Sequence, residues 1–132
     1  KHAWKGPGVE KENYVKAIQA SKISLGLLSK ANRDLHTTRS AEVPNIGSVF
    51  CAERTPEHEW MFTDGEDAVL WSSPAECAER CFELLDNSAK REQIISAAKK
   101  RITELKLSND DVLSSVISSL PAMAKQHGFH LR

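Results

Sequence analysis

A chain of 132 residues that is 40% hydrophobic and 27% charged has the make-up of one globular domain, not of a disordered or fibrous segment. Its 18 basic and 18 acidic residues leave no net charge at pH 7, which removes the broad electrostatic footprint that non-specific nucleic-acid or anionic-membrane binding needs. No apolar run reaches the length that crosses a bilayer, and the longest, such as Ala68-Val69-Leu70-Trp71, have the length of a strand.

Tyr14, Val15, Ile18 and Ala20 recur at roughly helical spacing, and residues 23–28 are strand-like, so the chain is predicted to open with a helix and then a strand. The polar stretch 29–36 lies past the carboxyl end of that strand. Thr37 is placed to cap a short helix carrying Thr38, Arg39, Ser40 and Glu42. Pro44, with no N–H and a ring that clashes with the preceding turn, is expected to shorten or bend it, and Asn45-Ile46-Gly47 reads as its exit loop. Residues 48–52 form a second buried strand. Thr55-Pro56 then supplies a cap and a first-turn proline for a helix over 57–62, Thr63-Asp64-Gly65 a turn, and 68–71 a third strand. Ser73-Pro74-Ala75-Glu76 is a capping box whose hydroxyl and carboxylate satisfy orphan N–H groups of a helix reaching about Asp86. Ile94, Ile95, Ala98, Ile102 and Leu105 line one face of the next helix. Ser108-Asn109-Asp110-Asp111 starts a last one, expected to bury Val112, Val116, Ile117 and Leu120 before Pro121 disturbs it.

Alternating helices and strands followed by helices predict an α/β class: a Rossmann-like parallel sheet flanked by helices, with further helices at the C-terminus. Neither a fixed-period repeat nor a low-complexity linker divides the chain, so residues 1–132 are read as one domain. Three strands make a small sheet. A further strand is expected near His2-Ala3-Trp4 or upstream of Lys1, and an incomplete edge favours pairing with another copy of the chain. A start at Lys1 instead of methionine suggests a piece of a larger protein.

Cys51, Cys77 and Cys81 are odd in number and form no CxxC motif. Reduced core thiols in a cytoplasmic protein are the first reading, and a zinc pair completed by histidine the second. No charged-then-apolar leader of secretory type is visible. His127-Gly128-Phe129-His130 reads as a tail before it reads as a metal site, and Lys99-Lys100-Arg101 as a solvated helix face. Trp60, Met61 and Phe62 are expected in the core, and His58 on the surface near the start of its helix.

In open α/β sheets ligands collect beyond the carboxyl ends of strands, where helix N-termini offer free N–H groups to anions. Residues 34–42, Asp34-Leu35-His36-Thr37-Thr38-Arg39-Ser40-Ala41-Glu42, occupy that junction. Arg39 can give paired hydrogen bonds to phosphate oxygens, and Glu42, one turn on, can accept from vicinal sugar hydroxyls. The alternative is that Thr37 only caps while Asp34, His36, Arg39 and Glu42 are solvated.

Further pieces stand in a recognisable order: Tyr14, Ser21-Lys22-Ile23-Ser24-Leu25, Thr38-Arg39-Ser40-Ala41-Glu42-Val43-Pro44 with Gly47, Ala52-Glu53-Arg54-Thr55-Pro56-Glu57, Phe62-Thr63-Asp64-Gly65-Glu66-Asp67-Ala68-Val69, and the helix of Glu76. From about Gly6 to Leu105 the chain resembles the carboxyl-terminal half of GT-B glycosyltransferases, especially the spore maturation protein CgeB-like family. The resemblance implies a site for a nucleotide-diphosphate sugar, with no separate cofactor and no metal. In such enzymes two acids separated by seven residues straddle this junction, the later on the ribose and the earlier near the transferred sugar. Glu42 and Asp34 match them, although Asp34 stands where glutamate is usual. Thr37, Thr38 and Arg39 would hold the diphosphate, Gly8 and Val9 the base, with His36 and Glu66 lining the cleft. The resemblance names no catalytic residue: a base and the acceptor site would come from an amino-terminal domain across the cleft. A protein-interaction module or degenerate transferase half on the same fold is the competing reading, and a receiver-like signalling domain fits less well because no acidic pair can be placed at the strand ends.

Overall fold

The computed structural model describes residues 8–126. Its centre is a parallel sheet of β1 (Ile23–Gly26), β2 (Val49–Glu53) and β3 (Val69–Trp71), in that order. Helices α1 (Lys11–Ala20), α2 (Arg39–Ile46) and α3 (Pro56–Met61) alternate with the strands, and α4 (Pro74–Leu85), α5 (Ser88–Leu105) and α6 (Asn109–Gln126) follow. This is the α/β architecture expected from the alternation. The segment His2-Ala3-Trp4, where another strand was expected, and the pair His127 and His130 lie outside the described residues.

Strand alternation sends the core in two directions. Phe50, Ala52 and Leu70 face one side, where Val43 of α2, Met61, Phe62 and Ile102 of α5 cover them. Val49, Cys51, Val69 and Trp71 face the other, under Leu84 of α4 and Ile94 of α5. The central strand β2 is buried over its first four residues, as a strand covered on both faces must be. Two caps form as their sequences predict. Thr55 Oγ1 accepts from the His58 N–H at 3.0 Å, and Ser73 Oγ accepts from the Glu76 N–H at 3.2 Å. The Glu76 carboxylate reaches back one residue further than the usual box and takes the Ser72 N–H at 2.8 Å.

Several expectations are corrected. The helix of Arg39 does not stop at Pro44; it includes Asn45 and Ile46, the intended exit loop, and closes at Gly47 with φ 111°. Pro44 is fully buried, so packing offsets the single backbone bond its ring removes. Residues 27 and 28 leave the sheet, with Leu27 exposed. Pro121 does not end α6, which runs on to Gln126. Nor does α6 bury its apolar stripe: Val112, Val116, Ile117 and Leu120 are 45–63% exposed, because no other described element covers that face. No helix among the described residues is long and apolar enough to cross a membrane.

Candidate functional site

The connection from β1 to α2 is held at the carboxyl ends of the strands by the last residue of β2 and by residues that follow it. Lys30 pairs with Glu53, His36 Nδ1 with Glu57, and the Thr55 hydroxyl donates to the Leu35 carbonyl at 2.6 Å. These ties place Thr37 and Thr38 at the mouth of α2. The Thr37 side chain caps nothing. Instead the Thr37 N–H donates to Ser40 Oγ at 3.2 Å, while the Thr37 and Thr38 carbonyls take the N–H groups of Ser40, Ala41 and Glu42. Among the described residues the N–H groups of Thr38 and Arg39 have no acceptor, so the helix presents two free donors and its positive end at this point.

Beneath that turn lies a buried polar chain. His58 Nδ1 is 2.7 Å from the Glu53 carbonyl, which can only accept, so Nδ1 carries the proton. Nε2 is then an acceptor and takes the Ser40 hydroxyl at 2.8 Å. Both side chains are fully buried, which corrects the surface position expected for His58. Burial pushes the His58 pKa below its usual 6.5, and the imidazole is neutral at pH 7. The chain from the Glu53 carbonyl through His58 and Ser40 to the Thr37 N–H therefore locks the start of α2 to the end of β2.

Two adjoining grooves flank the α2 mouth and share Thr38, Ala41 and Leu107. One, of about 530 Å³, is walled by His36, Thr37, Glu57, Trp60 and Met61. Trp60 is 65% exposed there, not in the core as expected, whereas Met61 and Phe62 are buried. Arg101 explains the arrangement. Its Nε donates to the Met61 carbonyl at 2.7 Å and its Nη2 to the Trp60 carbonyl at 3.0 Å, fixing the last turn of α3 so that the indole faces out. Arg101 is thus half-buried and engaged, while Lys99 and Lys100 lie on the solvated face expected of all three.

The second groove, of about 700 Å³, runs between α2 and the start of α6 and includes Glu42, Asn45, Thr103 and Lys106. Glu42 Oε2 accepts from the Tyr14 hydroxyl at 3.0 Å. Burial raises the Tyr14 pKa and Glu42 adds to the rise, while the Arg39 guanidinium works against it. Arg39 and Glu42 therefore stand on one side of the molecule, both exposed and both facing the Tyr14 hydroxyl. Arg39 itself lines neither groove.

Of the remaining sequence candidates, Asp34 is half-buried in the β1–α2 connection and lines neither groove. Gly8 and Val9 precede α1, are exposed and line neither groove. Glu66 sits at the tip of the turn before β3, exposed and outside both grooves, in a segment whose Asp64 accepts from the Leu70 N–H at 3.0 Å and so covers the outer edge of β3. From the sequence, Ser40 is only one hydroxyl of the 34–42 segment, Trp60 is expected in the core and His58 on the surface, and Tyr14 is an apolar helix position and part of a resemblance. The spacing of Ser40 and His58 on two different helices carries no local signal, and an aromatic residue next to Met61 and Phe62 looks like core until the helix face is known.

A comparison with protein-family models matches residues 2–110 to a family described as glycosyl transferase-like. No curated protein and no solved structure gives a significant match. The family match covers most of the chain and includes every strand of the sheet, the mouth of α2 and both acids of the junction. The chain therefore belongs to the glycosyl transferase-like family.

Proposed function

We propose that this chain is the donor-binding half of a GT-B glycosyltransferase of the spore maturation protein CgeB-like group, and that it holds a nucleotide-diphosphate sugar in the cytoplasm. The observation that carries the reading is the mouth of α2: two N–H groups without an acceptor, at the exposed Thr38 and Arg39, lie at the carboxyl edge of a parallel sheet, beside open grooves. The diphosphate rests on Thr37, Thr38 and Arg39. Glu42, oriented by Tyr14, takes the ribose hydroxyls through its second oxygen, and Asp34 lies towards the transferred sugar. Gly8 and Val9 approach the base, and Trp60 offers a flat apolar wall to a ring in the groove of His36.

Transfer requires the anomeric C–O bond to break as negative charge grows on the leaving diphosphate. Fixed N–H groups and a guanidinium stabilise that charge without reorganising. The acceptor, and any base that deprotonates it, belong to the amino-terminal domain across the cleft, and the chain by itself is inactive. In the intact protein Arg39→Ala and Glu42→Ala should each weaken donor binding about tenfold, the worth of a charge-assisted hydrogen bond, with the fold unchanged. Calorimetric titration with a panel of nucleotide-diphosphate sugars checks this. Absence of binding by the intact protein, or an affinity unchanged from the parent in both variants, rejects the reading.

A second reading, an interaction module on the same fold, is favoured by the exposed apolar stripe of α6. It predicts unchanged nucleotide affinity in both variants and loss of a protein contact when the stripe is made polar.

A further inference from the structure

The chain has three cysteines, and the fold brings all three sulfurs within 4.8 Å of one another. Cys51 projects from the central strand β2, and Cys77 and Cys81 lie one turn apart on the face of α4 that covers it. The Cys51 and Cys81 sulfurs are 3.9 Å apart. Cys51 is fully buried, while Cys77 and Cys81 are half-buried and open the cluster towards solvent.

We propose that Cys51, Cys77 and Cys81 form a trithiolate site for a soft divalent metal ion of the zinc type. The spacing suits such an ion. Zinc–sulfur bonds of about 2.3 Å in a tetrahedron put sulfurs about 3.8 Å apart, so the widest pair needs to close by no more than about 1 Å. No carboxylate or imidazole joins the group among the described residues, which leaves hard ions such as magnesium or calcium without their oxygen ligands. Charge narrows the choice further. Three thiolates around a divalent ion leave one net negative charge in an apolar setting of Val49, Val69 and Leu84, whereas a monovalent ion would leave two. Cys77 stands in the first turn of α4, where the positive end of the helix offsets what remains. Water reaching the cluster past Cys77 and Cys81 completes the fourth position. Each metal–sulfur bond replaces an S–H bond, the protons pass to solvent, and no electron changes hands.

The site has no part in donor binding. It lies on the opposite face of the sheet from Ser40 and His58, and its effect is to pin α4 to β2. The reading differs from a zinc pair completed by histidine, since the third ligand comes from the central strand.

The test is a titration of the full chain, kept reduced and free of oxygen, with Cd²⁺, whose thiolate complexes absorb in the ultraviolet. One equivalent should saturate the charge-transfer band, and Zn²⁺ should displace the cadmium and raise the thermal midpoint. Cys77→Ser and Cys81→Ser, at half-buried positions, should keep the far-ultraviolet circular dichroism of the parent. Each should weaken the metal by at least about tenfold, since loss of an outer-sphere partner alone costs that much. No band with excess cadmium, or equal affinity in the Cys77→Ser/Cys81→Ser double variant, overturns the proposal and leaves three core thiols.

Discussion

Ser40 joins helix-start chemistry to core chemistry through one hydroxyl. It gives its proton to His58 Nε2 and accepts the Thr37 N–H, so both of its neighbours depend on it. Ser40→Ala leaves a buried ring nitrogen without a donor and a helix-mouth N–H without an acceptor. The expected cost is about 1–3 kcal/mol of unfolding free energy, read from urea unfolding. The histidine adds a pH dependence whose sign is fixed. Its folded pKa lies below the 6.5 of an unhindered imidazole, so between the two values the unfolded chain binds a proton that the folded chain does not. The His58 contribution is complete above 6.5 and is lost as pH falls from there towards the folded value. Nuclear magnetic resonance of the ring should give a midpoint below 6.5, with urea midpoints falling over the same window. A His58 that titrates at or above 6.5 contradicts the neutral tautomer and the Ser40 bond built on it.

Among the elements, β1 shows how a strand depends on what lies across it. A Cβ built on Gly26 would sit 2.6 Å from Phe50 Cε2 and 2.8 Å from Cζ, so the absent side chain is space that the ring uses. Phe50 in turn meets the His58 ring edge-on with centroids 5.6 Å apart. Gly26→Ala must drive the phenyl ring from its place, and a forced shift of this kind costs about 1–3 kcal/mol, measurable as a lower denaturant midpoint with an unchanged slope. The strand itself was legible as a short apolar run, and so were the caps at Thr55 and Ser73, because those signals are local. The Gly26–Phe50 fit was not, since it joins two strands. The same distinction separates the hits from the misses elsewhere. The short, Pro44-ended helix was a local inference defeated by burial of the proline ring, and the buried Trp60 was defeated by Arg101, which grips Met61 at the end of α3 from 40 residues away. The candidate site divides likewise: that residues 34–42 form a strand-to-helix junction could be read from the order of elements. The turning of Arg39 and Glu42 towards Tyr14, and the buried support under Thr37, depended on side chains that only the fold assembles.

For the whole molecule the decisive contrast is between α5 and α6, two helices of 18 residues each. The first buries Ile94, Ala98 and Ile102 and contributes to both halves of the core, and the second buries no residue at all. An amphipathic pattern tells that a helix has an apolar face; it does not tell whether the same chain covers it. Two consequences follow for folding. An isolated helix of this length is marginal in water, because propagation alone, without tertiary contacts, barely offsets the cost of nucleating its first turn. The core, in turn, loses no packed side chain if α6 is removed. A chain ending at Ser108 should therefore unfold cooperatively with a free energy within about 0.5 kcal/mol of the parent, as surface changes do. In the parent, the circular dichroism contributed by α6 should decay gradually on heating, ahead of the sharp transition that both chains share. A drop of several kcal/mol in the shortened chain would mean that the stripe of Val112, Val116, Ile117 and Leu120 is covered in solution. Dependence of that drop on protein concentration would identify the cover as a second copy, since only association makes stability a function of concentration.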